Sequence, residues 1–291
     1  MHRGAAIDAE RGLAYVPSAD HCLYAAHLDD GSIRHRTWLP HPIASTPLLI
    51  EDRGEKSIIV ATGNRLARID EERRIQWDVP IPQQSTGRPP LIDDTLVVGV
   101  GDGTVRGYAL GDGAEKWSLN TTDKTGDYRR LLYGPWNCVV RDLGNGAALV
   151  GTVAAMFAVD AASGAARWEA KVSAMYSPPI LLEDGRILAV QENKKPMLID
   201  PTNGATKGIG DDGLISLDAG PVAVPGTALA LHVSHGGILT VIDTARPSMR
   251  RLRQIGTARV HSTPALINQG WTLIVGDQDG LLRALDVSAV R

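Results

Sequence analysis

Met156–Ala170, MFAVDAASGAARWEA, reads as a strand, a turn and a second strand. The apolar run Met156, Phe157, Ala158, Val159 closes at Asp160, Ser163-Gly164 reverses the backbone, and Trp168 stands on the returning strand. Short apolar runs bounded by Asp, Ser and Gly are strand and hairpin signals. Weaker copies of this unit recur along the chain, and three markers track them. The residue closing the LxALD-like strand falls at Asp29, Asp70, Gly111, Asp160, Asp200, Asp243 and Asp286. A proline heads another apolar run at Pro47, Pro90, Pro135, Pro179, Pro221 and Pro264, with Gly4 opening the first copy in its place. Proline lacks a ladder N–H, so it suits the head of a strand rather than its middle. A tryptophan follows the turn at Trp38, Trp77, Trp117 and Trp168. All three markers share a period of about 43 residues, the signature of a repeat architecture.

Each copy holds four short strands. In the third these are Leu91–Asp93, Leu96–Gly101, Val105–Leu110 and Glu115–Ser118, with Asp102-Gly103 as a tight turn. No stretch carries a sustained helical period. Four antiparallel strands repeated radially describe propeller blades, each burying its faces against its neighbours. The expected fold is therefore all-β: a seven-bladed β-propeller of four-stranded antiparallel blades in a single domain. The blades fall near 1–40, 41–80, 81–120, 121–172, 173–209, 210–255 and 256–291. The last copy ends without a clear fourth strand, leaving three options: a three-stranded blade, a short outer strand at Val287–Val290, or a sequence cut from a larger protein. A docked indole buries roughly 150–250 Å², a gross gain of about 4–6 kcal/mol.

The strand openings Ser45-Thr46-Pro47 and Ser262-Thr263-Pro264, the unit Ala158-Val159-Asp160 with Gly164 and Trp168, and Gly280-Leu281-Leu282-Arg283-Ala284-Leu285-Asp286 together resemble the pyrroloquinoline-quinone-like propeller repeat family. The likeness covers nearly the whole chain. It implies the fold and says little of function. The family mixes quinoprotein dehydrogenases, scaffold lipoproteins of outer-membrane barrel assembly, and propellers attached to acyl-adenylating enzymes. The dehydrogenases carry a vicinal Cys-Cys pair and a Glu/Asn/Asp calcium cluster. The first does not occur in this sequence and the second cannot be placed, so no cofactor is expected. The lipoproteins carry a signal peptide with a lipid-bearing Cys, and the sequence shows none.

Composition bounds the rest. With 291 residues, 43% of them hydrophobic, and a formal net charge of −3, the chain has a globular composition and no basic face for nucleic acid. No apolar run approaches the roughly 18 residues that span a bilayer, and MHRGAAIDAERG lacks a secretion core, so neither a membrane nor an exported location is expected and the cytoplasm is the simplest compartment. Cys22 and Cys138 read as isolated buried thiols.

Ligands of propellers meet the channel mouth, which the residues before each innermost strand line. Two positions before each strand-opening proline stand His2 (counted from Gly4), Ser45, Arg88, Tyr133, Ser177, Ala219 and Ser262. Three positions before stand Ala44, Gly87, Leu132, Tyr176, Asp218 and His261. The large groups form an acid–base set. His261 is the base, Asp218 orients it, and Tyr176 is the acid, with His2, Arg88 and Tyr133 as ligand-binding groups. Arg129 and Arg130, in the inserted TTDKTGDYRR loop, are further anion contacts, and Trp136 is an aromatic one. The leading function on these residues is a binding or scaffold module for a protein partner or small anionic ligand. The competing one is a cofactor-independent lyase, cyclase or hydrolase. His232-x-x-His235 is not read as a metal pair, because residues three apart on a strand point to opposite faces. Arg73-Arg74 reads as a solvated turn.

Overall fold

The computed structural model describes residues 4–43, 45–121, 139–152, 154–173, 177–191, 194–210 and 219–290. They form seven antiparallel sheets in chain order, and the fold is an all-β, seven-bladed β-propeller. Blade one holds Ala6–Asp8, Leu13–Pro17, Cys22–His27 and Ile33–Trp38 (β1–β4). Blade two holds Leu48–Asp52, Glu55–Thr62, Arg65–Asp70 and Ile75–Pro80 (β5–β8). Blade three is Leu91–Ile92, Thr95–Gly99, Thr104–Ala109 and Glu115–Asn120 (β9–β12), and blade four is Val139–Asp142, Ala147–Gly151, Met156–Asp160 and Ala166–Ala170 (β13–β16). Blade five is Ile180–Leu181, Ile187–Ala189, Met197–Ile199 and Thr206–Gly208 (β17–β20). Blade six is Val222–Ala223, Leu229–Val233, Ile238–Asp243 and Ser248–Gln254 (β21–β24). The seventh blade has three strands, Ala265–Ile267, Thr272–Gly276 and Leu282–Asp286 (β25–β27), and Ser288–Val290 is a 3-10 turn rather than an outer strand. No α-helix occurs among the described residues.

The chain packs as two compact units, residues 1–152 with 159–166, and residues 153–158 with 167–291. In the first unit, alternation along β6 sends successive side chains to opposite neighbours. Ile58 and Val60 join Leu13, Tyr15 and Leu23 of blade one. Ile59 and Ala61 join Leu96, Val98 and Tyr108 of blade three. A strand buried on both faces reads as a continuous apolar run rather than an alternating one. The second unit repeats the scheme: Ala230 and Ile242 of blade six pack with Leu188 and Leu198 of blade five. Leu231, Val233 and Val241 pack with Leu273 and Val275 of blade seven.

Five of the strand-opening prolines stand one residue before a strand, at β5, β9, β17, β21 and β25. Pro135 lies outside the described residues. The closing marker needs two corrections. The hydrogen bonds Asp160 N–H to Ala165 O and Gly164 N–H to Asp160 O recur at Asp200 with Ala205 and Gly204. In blade one the same pair is made by His27, with Ser32 and Gly31, and in blade three by Ala109, with Ala114 and Gly113. Asp29 and Gly111 thus lie in the turns, beyond the strand ends. Aspartate is favoured at this corner because its carboxylate accepts turn N–H groups, as Asp160 does from Ala162 and Ser163. His27 and Ala109 make the turn through the backbone alone, so the side chain gave no signal.

Candidate functional site

The Ser-Thr-Pro openings are structural staples. Buried Ser45 accepts the Ala61 N–H through Oγ at 2.7 Å, tying the head of blade two to its own second strand. Thr46 Oγ1 accepts the Gly4 N–H at 3.1 Å, from the opening of blade one. Ser262 Oγ donates to the Gly276 carbonyl at 3.2 Å, and Thr263 Oγ1 accepts the Gly220 N–H at 2.9 Å. Serine holds its own blade and threonine holds the opening of the blade before it. Ser177, buried, donates to the Ala219 carbonyl at 3.0 Å and links blades five and six. These small residues of the expected channel-mouth set therefore satisfy backbone groups.

Of the larger candidates, the structure describes His261 and Arg88. Asp218, Tyr176, His2, Tyr133, Trp136, Arg129 and Arg130 lie outside the described residues. The His261 ring stands edge-to-face against His235, with centroids 4.6 Å apart. Val260 N–H bonds the His235 carbonyl at 3.0 Å, fixing the opening of blade seven beside the β22–β23 turn. The contact is an edge-to-face packing of two imidazoles. His232 sits within β22, fully buried. Burial pushes its imidazole down to about 4, opposed by a hydrogen bond to the Ala219 backbone. His232 is thus a neutral core residue while His235, beyond the strand end, meets His261. Among the described residues no group of three or more His, Cys, Asp or Glu gathers as metal ligands.

Arg88 is exposed. The Arg141 guanidinium is held below the usual arginine range, by burial first and by the charge of Arg88 second. Two cationic heads placed together favour an anion between or above them. Arg141 escaped sequence reasoning because it lies within an innermost strand, where alternation predicts packing.

Trp77, Trp117 and Trp168 dock as expected. Their indole N–H groups donate to the carbonyls of Leu110, Ala161 and Pro201 at 2.8–2.9 Å. Each ring lies on the turn glycine of the following blade: Trp77 on Gly113, Trp117 on Gly164, Trp168 on Gly204. These glycines have φ of 73–74°. A Cβ there would meet the indole at 2.6–2.8 Å, so only glycine fits. Trp38 does not dock. It pairs with Cys22 at the start of β3, is 64% exposed, and stacks on His21 with centroids 6.3 Å apart. The docking position of blade one is filled by His35, opposite Ala25, as Trp117 lies opposite Gly107.

Six four-stranded blades and a three-stranded seventh, Ser-Thr staples and indole-on-glycine docking define a β-propeller of the pyrroloquinoline-quinone-like class. A family model described as outer membrane protein assembly factor BamB matches residues 2–207, and the chain belongs to that family. No curated protein sequence matches it. Among solved structures, BamB from Moraxella catarrhalis is 17% identical with a TM-score of 0.76, over 97% of this chain and 84% of that one. The Cps50 (Swd1) β-propeller domain of Myceliophteria thermophila is 12% identical with a TM-score of 0.66, over 98% and 97%. A chain of the mitotic checkpoint complex is 14% identical with a TM-score of 0.64, over 94% and 83%. At these identities the likeness is one of fold. No helix among the described residues is long and apolar enough to cross a membrane.

Proposed function

We propose that this chain is a protein-binding scaffold that engages its partner at the blade ends where the innermost strands begin. Trp38 carries the reading. In an antiparallel four-stranded blade, β4 ends at the end of the sheet where β1 starts, so the exposed indole belongs to the same end as the strand openings, on the outer edge strand. A large exposed indole, braced by the His21 ring, is the residue type that most often anchors an interface. Arg88 beside Arg141 offers the same partner a cationic contact, and Arg129, Arg130, Tyr133 and Trp136 are assigned to it on their sequence positions. The names of the structural relatives agree with a scaffold, one being an assembly factor and another part of a checkpoint complex. The cytoplasm remains the expected compartment, and fractionation of the source cells tests it.

A second reading, acid–base catalysis by His261 with Asp218 and Tyr176, draws on the His235–His261 contact. It requires a turnover that His261→Ala abolishes without lowering Tm. The scaffold reading is tested by affinity capture with wild type, Trp38→Ala and Ile33→Ser, the last altering an exposed apolar residue at the opposite end of β4. A partner retained by Ile33→Ser and lost by Trp38→Ala supports it. Equal retention by both variants refutes it.

A further inference from the structure

The slot between blades one and two lacks the plug that closes the slots following blades two, three and four. Two replacements coincide there. His35 takes the place of the indole. Arg73, at φ 69°, takes the place of the turn glycine, in a blade-two turn that closes one residue earlier, from Arg73 N–H to the Asp70 carbonyl. An imidazole facing an arginine cannot stack as an indole does on a glycine, and the slot stays open. Its walls include His35, Arg73, Arg11, Lys56, Tyr15 and Glu71, around a cavity of about 20 Å³. That is room to seat one oxygen of a larger group whose remainder stays at the open mouth of the slot.

The charges in and around this cleft are unevenly matched. Glu71 accepts from Arg11 at 2.7 Å and from the Lys56 N–H at 3.1 Å. Lys56 also bonds Asp8 at 2.9 Å and Glu10 at 2.7 Å, and Asp70 is taken by Arg74 at 2.8 Å. The acids on the walls are thus engaged. Arg73 and Arg34 make no ion pair among the described residues, and His35 lies between their fields. Its imidazole is held below the ordinary range by burial, then by Arg73 and Arg34.

We propose that the blade one–blade two slot is an oxyanion site, in which Arg73 and the His35 imidazole hold the head of a carboxylate or phosphate. The chemistry fits: a guanidinium fork grips two oxygens, and an anion beside His35 would relieve the repulsion that now disfavours its protonated form. The site lies at the end of blade one opposite Trp38, and it stands independently of the partner reading above.

The test follows the His35 imidazole by NMR in the intact protein during titration with inorganic phosphate, acetate and a short glutamate-rich peptide. The expected result is a saturable shift of the His35 signals and a higher His35 titration midpoint at saturation. Arg73→Gln should weaken binding at least tenfold, and Arg53→Gln, at another exposed positive-φ arginine outside the slot, should leave it unchanged. His35→Trp, with the peptide followed by calorimetry, should remove binding without loss of fold. No saturable shift with any of the three ligands overturns the proposal, as does an equal loss in Arg53→Gln. Tighter binding of the peptide than of acetate assigns the oxyanion to an acidic partner side chain, and the reverse assigns it to a free anion.

Discussion

Blade two has two differently made sides. Toward blade three it presents Trp77, buried on Gly113 and bonded to the Leu110 carbonyl at 2.9 Å. Toward blade one it presents the Asp70–Arg74 turn to His35, across a cleft laced with ion pairs. The first side is stabilised by apolar area and one satisfied hydrogen bond. The second shares the apolar cluster of Leu13, Tyr15, Leu23, Ile58 and Val60 but, in place of a docked indole, carries pairs such as Arg11–Glu71, in which both partners keep about a third of their surface in water. Exposed pairs of this kind each contribute about 0–1 kcal/mol. The same scaffold position therefore serves as mortar in one slot and stays available for binding in the other.

The largest effect should come from the closed side. Trp77→Ala should lower stability by about 3–5 kcal/mol in urea unfolding, whereas His35→Ala should cost less than about 1 kcal/mol. Equal losses would break the comparison.

A second contrast sets His35 against the fully buried His232. An unfolded histidine titrates near 6.5 and the folded His232 near 4, so between these values the unfolded chain binds the extra proton. Stability is thus fully present above pH 6.5 and is lost as pH falls toward 4, by about 3 kcal/mol. Urea unfolding across pH 4–7 should show this slope, and His232→Leu should flatten it. His35→Gln should leave most of it in place.

Smaller again is Arg73→Gly. It relieves a left-handed conformation that costs a side-chain-bearing residue about 1–2 kcal/mol, and part of that gain is offset by the freedom of glycine in the unfolded chain. The expected gain is about 0.5–1 kcal/mol, read from the urea midpoint. Adding His35→Trp should then stabilise by more than the two single changes together, because indole and glycine interlock. Strict additivity would show that the slot cannot be closed by its neighbours' rule. Trp38→Ala should change stability by no more than about 0.5 kcal/mol while removing partner capture. A larger loss of stability would make Trp38 a structural residue after all.

Much of this architecture was legible from residues that must satisfy a backbone constraint. A proline is confined to the ends of a strand, an aspartate corner caps its own turn, and a glycine under an indole admits no Cβ. These positions recur wherever the geometry recurs, so period and blade count follow from them. The errors arose where the geometry is kept without the side chain. His27 and Ala109 close their strands through the backbone alone, and Trp38 imitates the docking tryptophan at a position three residues too late. Functional residues were harder still. Arg141 sits in a strand that alternation assigns to packing, and Arg73 in a turn that composition assigns to solvent.

By itself, then, the sequence determined the repeat, the all-β class, the seven blades and the open question of the last one, because periodic hydrogen-bonding and packing constraints leave periodic residues. The tertiary structure alone decided the three-stranded ending, which tryptophans dock, the partner of His261, and the meeting of His35 with Arg73. Those outcomes depend on which residues of different repeats come face to face, and spacing along one strand carries no information about the side chain opposite it.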